Sequence, residues 1–247
     1  VVPIAADDAS PPADGLAPEI AETAAAVQTR LKAPDDPAPD PVALSSLAEN
    51  ETAEDAIAAA AAKGFDLLVV GLERTGAAGG GFSEIVVATV DRFEGPVAVV
   101  AARGVQAADP RTERLGMLVP VNGTDVSRRG AELALTLAQA ANVPVTALYV
   151  ANAADATRRQ RIGSLRRSRD AVLGEIEELA KRHGVTLRTA ARIGVAAEDA
   201  ILREARLGQH DMIVMGVGRR PGPTLVFGLV AESVLDASDR TVVFVAS

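Results

Sequence analysis

A short sequence pattern occurs twice in this chain, and the two occurrences lie at nearly the same distance each time. The segment AEDAI stands at residues 53–57 and again at 197–201, an offset of 144. The segment DLLVVG at residues 66–71 returns as DMIVMG at 211–216, an offset of 145. A five-residue identity between alanine-rich helices carries little weight alone, whereas two matches at almost one offset indicate an internal repeat. The chain is therefore predicted to contain two copies of one strand-and-helix plan.

The second copy shows this plan in full, because predicted strands and helices alternate from residue 115 to the C-terminus. Short apolar runs rich in branched residues predict buried strands, and longer segments with apolar residues at helical spacing predict helices. The predicted strands span 115–121, 145–150, 185–193, 212–215 and 242–245, and the predicted helices span 127–141, 164–183, 196–206 and 228–235. This alternation indicates an α/β fold in which helices cover both faces of a parallel sheet.

The first copy is predicted to be incomplete. Its strands are expected at 1–6, 42–47, 67–70 and 97–101, and its helices at 18–31, 51–63 and 83–93. Because residue 145 of the second copy corresponds to about residue 1, the first copy has no counterpart of residues 115–141, the opening strand and helix. The chain also starts on an apolar run without Met, so we expect it to be a fragment of a longer polypeptide or a processed one.

These patterns predict two α/β domains, each with an open parallel sheet of five-stranded type. The first would span residues 1–104, without its opening strand and helix. A polar linker would follow at 105–114, and the complete second domain would span 115–247.

The composition argues against several classes of function. A net charge of −8 and 2% aromatic residues disfavour nucleic acid, whose phosphates prefer a basic surface and whose bases stack on aromatic rings. Cysteine is absent and only two histidines are present, so a thiolate zinc site, thiol catalysis or a Ser/His/Asp triad has little to build with. A membrane span requires about 18 consecutive apolar residues, and no apolar run approaches this length. We expect neither enzymatic activity nor a bound metal.

Three glycines follow the fourth predicted strand of the second copy: Gly216, Gly218 and, at the start of a helix, Gly228. A strand, a glycine loop and a helix N-terminus together present backbone N–H groups to an anion, so this region is a candidate phosphate site. The alternative is a loop in which the glycines serve turning geometry only. A dinucleotide-binding fingerprint fits poorly, because that motif opens its fold, whereas only about thirty residues follow here. No P-loop sequence is present, so efficient nucleoside triphosphate hydrolysis is not expected.

The second half resembles the universal stress protein family. Residues 119–124 read VPVNGT, where the family has a VPVDGS-type turn after its first strand, and residues 211–216 match its D-x-I-V-x-G strand. Gly218 and Gly228 are separated by nine residues, as in the family's glycine loop. The resemblance covers essentially all of residues 115–247 and implies the universal stress protein fold, which is adenine nucleotide alpha hydrolase-like.

The resemblance also implies a ligand, an adenine nucleotide such as ATP or AMP. In nucleotide-binding members of the family, the first turn and the second strand hold the adenosine, and the glycine loop holds the phosphates. Carried onto matching positions, this puts Pro120, Val121, Asn122 and Val150 near the base and ribose, and Met215, Gly216, Gly218, Arg219, Gly228, Leu229 and Val230 near the phosphates.

Three departures from the family pattern predict weaker binding. Asn122 replaces the usual Asp, the loop between Gly216 and Gly218 is one residue short, and Leu229 replaces a hydroxyl that would meet phosphate. In the first copy, Ser83-Glu84 occupies the corresponding position, and a carboxylate there would repel phosphate. We expect the first copy to bind no nucleotide.

The first half has a narrower resemblance, to the cytoplasmic tail of bacterial cation/proton antiporters that carry tandem universal stress domains. It rests on residues 66–73, 79–82 and 93–104. The resemblance implies a cytoplasmic regulatory region whose membrane transporter domain lies upstream in the same polypeptide of the inner membrane. The alternative is a free-standing tandem universal stress protein that acts through protein–protein contacts without a ligand. Family resemblance also implies a homodimer through the last strand, residues 242–245, whose edge would otherwise be exposed.

Two further groups are weighed against ordinary surface roles. Six arginines form a basic cluster that could meet anionic headgroups or phosphates, although a solvated loop and helix start is the simpler interpretation. They are Arg158, Arg159, Arg161, Arg166, Arg167 and Arg169. His183 is expected at a helix C-terminus, where a cation is favoured, and His210 is expected to be exposed before a strand.

Overall fold

The computed structural model describes residues 67–72, 95–104, 115–151, 159–218 and 227–246, which all belong to one compact unit, Phe65–Ser247. The strands in this part of the chain are β1 Leu68–Leu72, β2 Val97–Ala101, β3 Met117–Val121, β4 Val145–Ala151, β5 Leu187–Ile193, β6 Met212–Val217 and β7 Thr241–Ala246. The helices are α1 Asp125–Ala141, α2 Arg159–His183, α3 Ala197–Leu207 and α4 Leu229–Ala237. The elements predicted at 1–6, 18–31, 42–47, 51–63 and 83–93, and the linker at 105–114, lie outside the described residues.

The described strands form one sheet of seven, in the order β1-β2-β7-β6-β3-β4-β5. All neighbours are parallel except β2 and β7, which are antiparallel. The predicted α/β class with a mostly parallel open sheet is confirmed. The two separate sheets that were expected are not found in this part of the chain, because β1 and β2 of the first half extend the sheet of the second half.

Strands β3 to β7 form a doubly wound arrangement. The chain builds outward from β3 through β4 to β5, then returns to the other side of β3 with β6 and β7. Strands β3 and β6 are paired only at Met117–Met212 and Leu118–Ile213, so they part towards their carboxyl ends. Open sheets of this kind bind ligands at such a switch point, because the connecting loops leave it in opposite directions.

The core on one face of the sheet lies beneath α1 and α2. Alternate residues of β3, Met117, Val119 and Val121, are buried there against helix residues such as Leu135 and Ile176. This period of two follows from the alternating direction of side chains along a strand. The apolar run predicted as the first strand of the second copy is therefore a buried strand of the sheet.

Capping residues set the bounds of α1. The Thr124 hydroxyl accepts a hydrogen bond from the Ser127 N–H at 3.3 Å and so begins the helix. The helix ends at Asn142, which adopts the left-handed conformation at φ 53°. The helix starts two residues before its predicted bound, because the cap and not the apolar spacing decides where it begins.

The pairing of β2 with β7 has a local two-fold symmetry. Val99 pairs with Phe244, and these residues are 145 apart in the sequence. On either side, Val97 pairs with Ala246 and Ala101 pairs with Val242. Shifting either partner of these outer pairs by 145 gives the other pair, so the offset found in the sequence recurs in the register.

The register of β1 with β2 repeats that of β6 with β7. Leu68 pairs with Val97, and Ile213 pairs with Val242, which again lie 145 residues further along the chain. Both pairs are parallel, so the last two strands of each half are built alike.

The outer edge of β7 is occupied within this chain. Strand β7 pairs with β6 on one side and with β2 on the other. The expectation that residues 242–245 offer an exposed edge for dimerisation is therefore wrong, because β2 already makes the backbone hydrogen bonds of that edge.

None of the described helices is both long enough and apolar enough to cross a membrane. The longest, α2, carries three basic residues, Lys181, Arg182 and His183, in its last turn, where they complement the helix dipole.

Candidate functional site

A cavity of about 280 Å³ opens at the carboxyl ends of β3 and β6, where the two strands part. Eight of the residues predicted from the sequence line it: Pro120, Val121, Asn122, Val150, Met215, Gly216, Gly218 and Val230. The fold thus brings the predicted first turn, second strand and glycine strand together around one space.

Two further predicted residues that the structure describes, Gly228 and Leu229, do not line this cavity. Gly228 caps the start of α4 with φ at 88°, and Leu229, the first residue of that helix, is 81% exposed. Arg219 lies outside the described residues. The loss of a hydroxyl at Leu229 therefore concerns a position at the rim and not in the wall.

Other lining residues were not predicted from the sequence. Thr124 and Ser127 come from the start of α1, and Phe227 precedes α4. Ala197 and Ile201 come from α3, and they are the first and last residues of the repeated segment AEDAI. That repeat was a signal for them, because its apolar ends fall on one face of a helix at i and i+4.

Local hydrogen bonds fix the turn that contains Asn122. Its Oδ1 accepts from the Thr124 N–H at 3.1 Å and from the Thr124 hydroxyl at 2.7 Å. Its own N–H donates to the Ser127 hydroxyl at 3.4 Å. The side-chain oxygen is thus used within the turn, as in an Asx turn, and the NH₂ group takes no part in it.

The sequence predicts Gly216 in the loop after the fourth strand of the second copy, but the structure places it within β6. Strand β6 continues to Val217, and Gly216 pairs with Val245 of β7. A Cβ at Gly216 would overlap the Val126 carbonyl oxygen at the start of α1. Gly216 is therefore required for the close approach of α1 to the strand, and this contact forms one side of the cavity.

Three helix N-termini meet at this end of the sheet, those of α1, α3 and α4, and each contributes residues to the cavity wall. The caps of α3 and α4, Ala196 and Gly228, make no side-chain hydrogen bond to the helix. The first backbone N–H groups of these two helices have no intrahelical acceptor, and with the helix dipoles they favour an anion.

Acidic side chains oppose that preference. Glu198 and Asp199 lie in the first turn of α3, and Glu232 lies in the first turn of α4. In the described residues there is no group of three or more His, Asp or Glu that could hold a metal ion. The site can therefore offer backbone donors to a phosphate group, but with carboxylates nearby that weaken the attraction.

The two histidines lie apart from the cavity wall. His183 is the last residue of α2, as expected, but His210 is buried, with 6% of its surface exposed, and not exposed as predicted. Burial lowers the pKa of His210, while nearby Glu204 and Asp211 act in the opposite direction.

The basic cluster on α2 is described only in part. Arg166 and Arg167 are exposed, and Arg169 pairs with Asp170 at 2.7 Å. Arg158 lies outside the described residues. The described members form part of a solvated helix face.

Comparison with known proteins agrees with this architecture. The model of the universal stress protein family matches residues 116–246, more than half of the chain. A universal stress protein of Methanocaldococcus jannaschii is 28% identical over 127 residues, which cover 48% of this chain and 74% of that protein.

Solved structures of similar fold include a putative universal stress protein from Pseudomonas aeruginosa. It has a TM-score of 0.56 and 16% identity, with 93% of this chain and 77% of that chain covered. A universal stress protein from Archaeoglobus fulgidus, solved in complex with dAMP, has a TM-score of 0.43 and 19% identity, with 54% of this chain and 99% of that chain covered. The family match and the doubly wound sheet together show that this chain belongs to the universal stress protein family.

Proposed function

We propose that this chain is a regulatory module that binds an adenine nucleotide, ATP or AMP, weakly through its second half. The cavity between the parting strands β3 and β6 is the observation that carries this proposal. It lies at the switch point of the sheet, where folds of this kind take nucleotides.

The wall chemistry suits a nucleoside on one side and a phosphate on the other. Val121 and Val150 give apolar surface to a base, and Asn122 offers its NH₂ group to a ribose or base acceptor. Gly218 and the start of α4 at Val230 offer backbone N–H groups to phosphates. Among the described residues of the wall, no side chain is a nucleophile with an adjacent base, and we propose binding without turnover.

Weak binding follows from the same geometry. The acceptor oxygen of Asn122 is engaged by Thr124, and Glu198 and Glu232 lie near the helix ends that would meet phosphates. We expect a dissociation constant of about 0.1–1 mM, close to the concentrations at which a cellular nucleotide level could be sensed.

The proposed setting is the cytoplasmic side of a bacterial inner membrane, in a cation/proton antiporter whose transporter domain precedes these residues. It rests on the resemblance of residues 66–73, 79–82 and 93–104 to antiporter tails. The tandem arrangement is supported by the register of β1 with β2, which repeats that of β6 with β7 at an offset of 145. Nucleotide binding would regulate transport by favouring one packing of the domains.

Isothermal titration calorimetry with ATP, AMP, dAMP and cyclic dinucleotides tests the binding proposal. Gly218→Glu places a carboxylate beside the proposed phosphate position, where an added Cβ meets no described atom within 4 Å, so binding should be lost in a folded protein. Gly174→Glu adds the same charge on α2, at a position equally open and away from the cavity, and should bind as the parent does. Absence of heat with every nucleotide at millimolar concentration would leave a structural role.

The setting is tested by the coding sequence before Val1. Ten or more hydrophobic helices there would support the antiporter assignment, and their absence would favour a free-standing tandem protein that acts through protein contacts.

A further inference from the structure

Among the described residues, no helix covers the face of β1 that corresponds to the buried face of β6. Val69 of β1 is 59% exposed, whereas Val214, which lies 145 residues further along, has 0% exposure beneath α1. An exposed branched apolar side chain in the middle of a strand indicates a surface that another element normally covers.

Both valines lie on the same face of the sheet. Val69 is in register with Ala98 of β2, and Ala98 belongs to the core cluster beneath α1 and α2 together with Val214. Side chains of residues paired in register point to the same face. The uncovered surface at β1 is therefore continuous with the face that α1 covers.

Gly71 adds a second and independent feature. Its counterpart Gly216 is packed so closely by α1 that a Cβ would overlap the Val126 carbonyl oxygen. A Cβ at Gly71 would meet no described atom within 4 Å. The glycine that permits close helix approach is thus present at β1, while no described helix approaches it.

From these features we infer that the surface formed by Val69 and Gly71 is the docking site for a strand-and-helix segment of the β3–α1 type. The strand of this segment would lie parallel along the free side of β1, which among the described strands has β2 as its single neighbour. The helix would cross Val69 and Gly71 with a small residue at the contact, as Gly130 of α1 does at Gly216. This inference rests on the proposed tandem arrangement and is independent of nucleotide binding.

The apolar side of α1 shows what chemistry the docked helix needs. Its buried residues recur at helical spacing and are small or branched: Gly130, Ala131, Ala134, Leu135 and Ala138. A large residue at the first of these positions would hold the helix away from β1, and the space beside Gly71 would then stay unfilled.

A fusion that supplies such a segment tests the inference. A copy of residues 115–144 is placed directly before Val1, since residue 145 aligns with about residue 1 of the first copy. The natural sequence has no cysteine, so Val69→Cys introduces a single thiol whose rate of maleimide labelling reports exposure. Leu207→Cys, at a residue that is 66% exposed on α3, is the matched control.

The fusion should slow labelling of residue 69 about tenfold or more, because labelling then requires local opening, and should leave labelling at residue 207 unchanged. Amide hydrogen exchange of Leu68–Leu72 should slow in parallel. Adding Gly71→Leu to the fusion should restore fast labelling at residue 69, because the leucine blocks close approach of the helix. The same substitution in the chain without the fusion should leave its stability unchanged, since the added side chain meets open space.

Three results would overturn the inference. One is labelling at residue 69 that the fusion does not slow, and another is protection that survives Gly71→Leu. The third is protection in the chain without the fusion that increases with protein concentration, since a second copy would then be the occupant. All measurements are made without nucleotide. A negative labelling result therefore leaves the binding proposal intact, and a titration without binding leaves the labelling result interpretable.

Discussion

Gly130 of α1 lies directly against Gly216 of β6, with no room for a side chain on either residue. A Cβ on Gly130 would overlap the backbone nitrogen of Gly216, and a Cβ on Gly216 would overlap the carbonyl oxygen of Val126. The contact holds the first turns of α1 beside the end of β6, and both elements line the cavity. The spacing of helix and strand at the site is therefore set by two glycines and not by side-chain contacts.

Gly216→Ala should destabilise the protein by about 2–3 kcal/mol, because the methyl group forces α1 away from the strand. Gly71→Ala, at the equivalent position of the first half, should change the free energy of unfolding by less than about 0.5 kcal/mol, as is usual for exposed positions. Urea denaturation of the two variants measures the difference. Equal losses of stability in the two variants would contradict the assigned contact. The two glycines occupy the same position of the repeated segment, and only their packing differs.

Asn122→Asp should raise affinity for an adenine nucleotide several-fold. A carboxylate can keep the two hydrogen bonds from Thr124 with one oxygen and leave the other to accept from a ribose hydroxyl. The negative charge also lies close to the N-terminus of α1, where it should add about 0.3–1 kcal/mol of stability. Calorimetry with AMP and adenosine, beside thermal unfolding, separates the two effects. Asn122→Ala is the control, because it removes the turn hydrogen bonds and should lower both stability and affinity.

The sequence predicts individual elements of this protein better than their assembly. The strand predicted at 97–101 is β2 residue for residue, because a run of branched apolar residues between turn residues is a local signal. Its antiparallel pairing with β7 could not be predicted, because nothing in either strand specifies a partner more than 140 residues away. That pairing alone joins the described strands into a single sheet of seven.

The candidate site was predicted where it depends on motifs and missed where it depends on packing. The turn at Asn122 and the strand at Met215 carry recognisable patterns, and the fold brings them to one cavity. Phe227 enters the wall through its contact with Phe244, whose ring centroid lies 5.3 Å away, and no local pattern announces such a contact. The burial of His210 was missed for the same reason, because a polar residue before a strand is usually solvated.

Arg103 should be required to hold the end of β2 against α4 and β7. Its guanidinium donates to the carbonyl oxygens of Leu235 and Ser238 at the C-terminal end of α4, where a cation is favoured. Its backbone N–H donates to the Thr241 hydroxyl, and that hydroxyl donates to the Arg103 carbonyl oxygen, both at 3.1 Å. Arg103→Ala should cost about 1.5–3 kcal/mol, as expected for hydrogen bonds to a charged group.

Hydrogen exchange along α4 distinguishes this role from a general loss of stability. Relative to the parent protein, Arg103→Ala should accelerate amide exchange more in the last turn of α4 than in the centre of β6. Arg103→Lys should retain part of the protection. Thr241→Val is the companion variant: it is isosteric but removes the hydroxyl that hydrogen-bonds to the backbone N–H and carbonyl oxygen of Arg103, at a cost of about 1–3 kcal/mol. Uniform acceleration over the whole sheet in Arg103→Ala would rule out the local role.

Stability should fall as the pH is lowered from 8 to 5, and His210 should contribute to that fall. Burial lowers the pKa of His210 in the folded protein, whereas the unfolded chain titrates at about 6.5. Below that value the unfolded state binds the proton more readily, so the contribution of His210 is complete above about pH 6.5 and is lost as the pH falls towards the lowered pKa. His210→Gln keeps a neutral side chain and should reduce the dependence of the melting temperature on pH in this range. The same slope in parent and variant would show that the imidazole binds its proton equally well in the folded and the unfolded protein. Carboxylates elsewhere would then cause the acid sensitivity.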